Sequence, residues 1–341
     1  MTLWEEIHEQ PEVLRRVLAG SATQVAAVAA EFERVRPAFV LVAARGTSDN
    51  AARYAKYLWG ARNRIPVALA APSLFTAYDA PPRLDGAFVV GISQSGESPD
   101  LVAVIDRART QGRPTVAITA HPDSPLARAA ARCIVLDSGE ERAVAATKTY
   151  TAQLAVIAAL SCALRGDGKA LEGIPEAVAE VLDASGSIAA AASIFVEDDF
   201  AAVVGRGFNY STTFEWALKL QELAGILAHP YSAADFEHGP LALVSRGFPV
   251  LAVAPLGATH PRLLRLLDRL SGELGARLGI VSDDERTLAL GEAAIPVPSV
   301  PEWVSPIVAV VATQLFTHHL TVARGLDPDR PRTIGKVTRT I

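Results

Sequence analysis

Short hydrophobic runs alternating with helical patterns constrain this chain most. AFVLVAA (38–44), PVALAA (66–71), AFVVGIS (87–93), PTVAITA (114–120) and RCIVLD (132–137) are too short for helices and too continuously apolar for one-sided strands. Helical spacing lies between or beside them. That rhythm predicts an α/β fold, a parallel sheet covered by helices on both faces. A helical lead-in over roughly 2–36, interrupted at Pro11, precedes the series, and a long helical tract (148–165) follows it.

A second series begins at DFAAVVG (199–205), continues with FPVLAVAP (248–255) and RLGIVS (277–282), and closes with a helix across 305–324. Strand plus ARG ends at Gly46 in the first series and strand plus GRG at Gly207 in the second (207 − 46 = 161). The same offset lays FVVGIS (88–93) on PVLAVA (249–254), as expected of a duplicated domain. It also sets Ser93, Gln94 and Ser95 opposite Ala254, Pro255 and Leu256, so only the first copy keeps a hydroxyl-rich loop. The expected spans are a lead-in over 1–35, domains over 36–168 and 192–326, and a tail over 327–341.

In open parallel sheets ligands bind beyond the carboxyl ends of the strands. There, SQSGES (93–98) runs into a helix whose N-terminal amides suit an anion. Gly96 permits the tight turn, Ser93, Ser95 and Ser98 add hydroxyls, and Pro99 fits the first helical turn. Three serines plus Gln94 favour a phosphate cradle over a plain serine cap. ARGTSDN (44–50) repeats the arrangement with Thr47 and Ser48. Neither loop matches G-x-x-x-x-G-K-[ST] or G-x-G-x-x-G, so one phosphate on a small molecule fits better than a nucleotide. Thr147 and Lys148, entering the long helix, either reach the ligand or cap a core helix.

Thr212-x-x-Glu215 has the capping-box pattern, which predicts a helix over 214–225. Lys219 and Glu222 then share one face. They read as an exposed salt bridge, or as an imine-forming amine beside a carboxylate that moves a proton between carbons. The second role needs burial or a neighbouring cation to lower the lysine's pKa. His238, before a Gly-Pro turn, is structural or a ring-opening acid/base. Lys336 either folds over a ligand or belongs to a disordered basic tail.

The net charge of −5 and the lack of a basic run argue against nucleic acid as a partner. Cys133 and Cys162 sit among apolar residues as free, buried thiols. No cluster has metal-ligand spacing, so neither metal nor cofactor is expected. The opening MTLWEEIHEQPEVLRR lacks the layout of a secretion signal. The apolar stretches near 150–164 and 303–316 fall short of about 18–20 clean apolar residues. A cytoplasmic protein without a membrane segment is expected.

Taken together, these motifs resemble the sugar-isomerase (SIS) domain group, in particular the isomerase half of glucosamine-6-phosphate synthase and its stand-alone relatives. The resemblance is carried by Glu6, Ile7, Glu9, Gln10 and Pro11, then GTS (46–48), SQSGES (93–98) and TK (147–148). E-ALKL-E (215–222), HGPLAL (238–243) and D-PR with a following lysine (329–336) complete it, in the family's order across nearly the whole chain.

The resemblance implies two tandem SIS domains, each a five-stranded parallel sheet between helices, in a homodimer with shared active sites. It implies that Ser93, Gln94, Ser95 and Ser98 hold the phosphate and that Thr47 and Ser48 help hold the sugar. Lys219 would form the Schiff base, Glu222 would carry the C1–C2 proton, His238 would open the ring from the other subunit, and Lys336 would belong to a closing tail.

Gln221 stands where a synthase has lysine, and Arg45 replaces a small residue or cysteine. The chain enters the SIS opening directly from Met1, so glutamine hydrolysis is not expected. The expected reaction takes glucosamine-6-phosphate to fructose-6-phosphate and ammonia. The alternatives are an isomerase or deglycase of fructosamine-6-phosphate or galactosamine-6-phosphate, a glutaminase-less aminotransferase-type subunit, or a non-catalytic sugar-phosphate sensor.

Overall fold

The computed structural model describes residues 2–336. Chain contacts divide them into two compact units. One comprises Glu12–Glu141 and Lys148–Glu172 with Gly335 and Lys336; the other comprises residues 2–11, Arg142–Thr147 and Gly173–Ile334.

The first unit holds strands β1 (Phe39–Ala43), β2 (Val67–Leu69), β3 (Ala87–Ile92), β4 (Thr115–Thr119) and β5 (Arg132–Val135). They form a parallel sheet in the order β2-β1-β3-β4-β5. Every residue of β3 and β4 is buried, which explains why both runs are continuously apolar. Leu41, Ala43 and Val89 pack on one face against Leu101, Val104 and Ile105 of the helix Pro99–Thr110. The alternate residues Val40, Val42, Phe88 and Val90 are buried too. Phe88 meets Phe32 of the helix Ala22–Val35, and the helices Gly46–Asn63 and Lys148–Ala163 pack together.

The second unit repeats the plan with β6 (Phe200–Gly205), β7 (Leu227–Ser232), β8 (Pro249–Val253), β9 (Arg277–Ser282) and β10 (Ala293–Pro296). The order is β10-β9-β8-β6-β7, all parallel. Read from the other edge it is the order of the first sheet. The expected duplication is therefore present strand by strand. β1 and β6, β5 and β10, and the helices Pro99–Thr110 and His260–Gly272 each begin at the offset that separates Gly46 from Gly207.

Two strands escape a reading for apolar runs. β7 (LAHPYS) and β10 (AAIP) carry prolines and form the two edges of the second sheet. A proline that cannot donate to the ladder is tolerated there. The helix Ser305–Ala323 also corrects an expectation. By length and composition it is apolar enough to cross a membrane, and 78% of that stretch is buried inside the protein. It serves as a core helix, packed on the helices Ile174–Asp183, Ser185–Ser193 and Tyr210–Lys219. Of the two cysteines, both free, Cys162 is buried and Cys133 only half-buried; burial pushes the Cys162 thiol up to about 11.

Trp216 is fully buried, its ring 5.2 Å from that of Phe316 and nearly perpendicular to it. Trp216→Ala is expected to cost about 3–5 kcal/mol, read as a lower urea midpoint by circular dichroism. A loss below about 1 kcal/mol would mean that this contact does not anchor the core helix.

Candidate active site

The loop after β3 begins with buried Ser93 and turns at Gly96, whose φ is +65°. A Cβ on Gly96 would run into the hydroxyl of Ser124, so both the conformation and the close approach select glycine. The Gly96 N–H donates to Ser93 Oγ at 3.1 Å and the Glu97 N–H to Ser95 Oγ at 3.3 Å. Ser98 occupies the cap position of the helix Pro99–Thr110, yet its side chain makes no capping hydrogen bond. The plain-cap reading of Ser98 thus loses its support. Gln94 is half-buried, and its carbonyl accepts from Ala120 N and Thr119 Oγ1, both at 3.1 Å.

The neighbouring loop after β1 turns at Gly46, φ +52°, and starts the helix Gly46–Asn63. Thr47 is half-buried; Ser48 is buried and its hydroxyl accepts from Gln153 Nε2 at 2.9 Å. Arg45 Nε donates to the buried Asp100 Oδ2 at 2.7 Å, so the residue that departs from the family pattern braces this loop against the helix that follows SQSGES. Lys148, in this unit, and Thr147, in the other, are each 1% exposed, which is the placement of a polar entry to a core helix.

Lys336 Nζ lies 2.7 Å from Glu141 Oε2. The buried Glu141 carboxylate also accepts from Thr149 N at 3.1 Å and Thr149 Oγ1 at 2.7 Å. The tail is therefore tied at Lys336 to a buried anion in its own unit; residues 337–341 of the expected tail lie outside the described residues.

In the second unit the chain does not follow the expected capping box. The helix begins at Tyr210 behind Asn209, and Thr212 lies inside it, its hydroxyl donating to Asn209 Oδ1 at 3.0 Å. Glu215 is consequently not a cap residue but is fully buried, one turn before Lys219. After Lys219 the helix widens into a π-helical turn, Leu220–Ala224, which ends on Gly225 with φ +68°. Such widened turns recur at functional sites.

Lys219 is 2% exposed, with Nζ 3.2 Å from Glu215 Oε1 and 2.7 Å from Glu222 Oε2. The exposed-salt-bridge reading is thereby excluded. Burial alone would lower the Lys219 pKa, but the charges of Glu215 and Glu222 and their hydrogen bonds outweigh it, and the net shift is upward. This reverses the lowered pKa that an imine-forming lysine calls for. Lys219 rests as an ammonium that donates to Glu222 Oε2 and fixes the position of that carboxyl group.

Glu222 also borders a cavity of about 450 Å³, whose further wall is the described tail, including Leu326, Asp327, Arg330 and Arg332. That volume lies in the range of small-molecule sites, about 300–1,000 Å³. Gln221 lines it as well and donates to the Ala228 carbonyl at 2.6 Å. His238 is exposed at the end of the short helix Ala233–Glu237, just before Gly239. Among the described residues no three His, Cys, Asp or Glu side chains gather to hold a metal ion.

Sequence reasoning missed Glu215 and Glu141. Two signals were available for Glu215, its place four residues before Lys219 and its position at the head of E-ALKL-E, but the capping pattern claimed it first.

The SIS domain family model matches residues 38–163 and 195–324. The chain is 34% identical to glutamine–fructose-6-phosphate aminotransferase (isomerizing) of Pyrococcus horikoshii over 97% of its own length and 56% of the relative's. It thus spans about half the length of the curated relatives it matches. The solved C-terminal domain of glucosamine-fructose-6-phosphate aminotransferase from Francisella tularensis superposes with a TM-score of 0.87 at 26% identity, covering 96% of this chain and 98% of that one. Glucosamine-6-phosphate deaminase from Thermotoga maritima shares the fold over 100% of both chains, with a TM-score of 0.82 at 21% identity.

A lysine whose folded pKa is raised above the ordinary 10.5 contributes stability that is complete below that pH and is lost as pH climbs through the folded value. At pH 7, therefore, Lys219→Met should uncover the full cost of two carboxylates left without their cation, about 3–5 kcal/mol. Urea unfolding at pH 7 checks this, and an unchanged midpoint would mean that the ion triad is dispensable.

Proposed function

Because this chain belongs to the SIS domain family, we propose that it is a phosphosugar isomerase whose substrate is an amino-sugar phosphate, glucosamine-6-phosphate in the first instance, giving fructose-6-phosphate and ammonia. The observation that carries the reading is the buried Lys219 between Glu215 and Glu222, with Glu222 at the edge of a cavity. A carboxylate positioned by a buried lysine at a cavity edge is suited to take a proton from carbon. This direction needs no nitrogen donor beyond the substrate. The chain's two SIS domains would span 36–168 and 192–326.

Ser93, Gln94, Ser95 and Ser98 would hold the phosphoryl group, and Thr47 and Ser48 the sugar hydroxyls. His238 would open the ring, reaching in from the partner copy of a homodimer. Glu222 then takes the proton from C2 and returns it to C1, which converts the open-chain 2-amino aldehyde into a C2 imine. The Lys219 amine displaces ammonia from C2, and water hydrolyses the new imine to the ketone. For that step Lys219 must first pass its proton to Glu222 or Glu215, the condition its raised pKa imposes. Lys336 would secure the tail over the bound sugar.

Purified protein incubated with glucosamine-6-phosphate in heavy water should release ammonia and exchange the C2 hydrogen. Glu222→Gln should lower kcat by about 10²–10⁴-fold. Glu215→Gln removes one of the two carboxylates that raise the Lys219 pKa, so the rising limb of the kcat/KM profile should move to lower pH. Borohydride trapping should label Lys219; a label on another lysine reassigns the imine. Intact substrate with no C2 exchange, across a panel of phosphorylated amino sugars, would refute the activity.

A further inference from the structure

The duplication makes each loop of one copy a control for the other. At the shared offset, Ser95, Gly96 and Glu97 of the first loop correspond to Leu256, Gly257 and Ala258 of the second. The amides are treated differently. In the first copy the Glu97 N–H donates to a neutral hydroxyl of its own loop, Ser95 Oγ. In the second copy the Ala258 N–H donates to Glu302 Oε2 at 2.9 Å, and the Leu256 N–H to Asp283 Oδ1 at 2.7 Å.

The half-buried Glu302 carboxylate sits against this turn. A Cβ on Gly257 would collide with it, and a Cβ on Gly207 would lie 3.8 Å from its Oε1. Gly207 and Gly257 are the counterparts of Gly46 and Gly96, the two glycines that shape the hydroxyl-rich loops of the first copy. Both glycines are thus kept in the second copy, and there both approach one side-chain anion.

The same offset pairs Glu302 with Glu141 and Asp283 with Pro122. Glu141 is turned elsewhere, onto Thr149 and Lys336. Pro122 offers no carboxylate.

We propose that Glu302 is a built-in anion that closes the second domain's loop to phosphate, and that it, with the loss of the serines, restricts the chain to one phosphate site. Amides beside a helix N-terminus attract an anion; a carboxylate already seated there satisfies them and repels another negative group. Asp283 fixes the adjoining Leu256 amide in the same way. At the Ala258 amide closure resides in a single side chain, because the glycine-lined turn beneath it is intact.

The test uses inorganic phosphate as the probe, with equilibrium dialysis of radiolabelled phosphate against the full chain. Glu302→Ala should bind one more phosphate per chain than the wild-type protein. A crystal of the variant soaked in tungstate should show the added anion against Gly257 and Ala258. Glu302→Gln, which keeps the space filled and the Ala258 amide partnered, should bind no more than the wild type. Equal binding by the Ala variant and the wild type overturns the proposal. So does extra binding by both variants alike, which would mark a general change in surface charge. If the Ala variant fails to fold, amide exchange in the wild type decides: the Ala258 N–H should be protected without added anion and unaffected by phosphate, and further slowing by phosphate overturns the proposal. The wild-type baseline reports separately on the first domain's loop, so its failure to bind would count against the proposed function and leave this inference standing.

Discussion

A parallel strand buried on both faces can present chemistry to solvent only beyond its ends. β3 and β4 are buried along their whole lengths, and their side chains are committed to packing. Each strand then delivers the chain to a helix N-terminus, where amides face outward without intrahelical partners. The serines of 93–98 and the hydroxyls of Thr47 and Ser48 lie at such strand ends. Arg45, through the buried Asp100, braces the second loop against the helix that the first one starts. The placement of these hydroxyls follows from how a parallel sheet satisfies its core.

The second domain uses a different resource. Its lysine is inside, not at a strand end, and survives there because two carboxylates accompany it. Removing an ammonium from water costs several kcal/mol unless paired charges compensate. Glu215 and Glu222 compensate to the point of raising the pKa despite complete burial. The result is a proton-rich cluster in which Glu222, the partly exposed member, faces the cavity. The widened turn following Lys219 places it there.

How much of this was legible in the sequence depends on whether a feature is local. β1, β3, β4, β6, β8 and β9 announce themselves as apolar runs because central parallel strands are buried on both sides. β7 and β10 do not, since an edge strand can carry Pro230 or Pro296 and remain paired on one side. The Lys219–Glu222 pair is readable from its spacing of three. Its burial is not, because burial depends on the helix Ser305–Ala323 packing across the helix that bears Lys219. Thr212 and Glu215 formed a capping pattern by coincidence of spacing; the helix had already begun at Tyr210. Glu141 and Lys336 stand 195 residues apart, a separation over which no periodicity speaks.

Duplication sharpens the point, because equal positions in the two copies have met different demands. Glu141 and Glu302 stand at the same offset, as do Gly96 and Gly257. One glutamate supports a helix entry and a tail lysine, and its loop keeps neutral hydroxyls on the amides. The other occupies the turn itself. A buried or half-buried carboxylate must find donors, and in each copy it takes those within reach: Thr149 and Lys336 in one, the Ala258 amide in the other. Where the donors lie outside the loop, as Thr149 and Lys336 do, the loop's amides keep neutral partners. Where the donors are the loop's own amides, the anion is already present. Two domains of the same strand order therefore differ in which hydrogen-bond donors a single carboxylate reaches, a difference invisible to fold class and readable only from the contacts of individual residues.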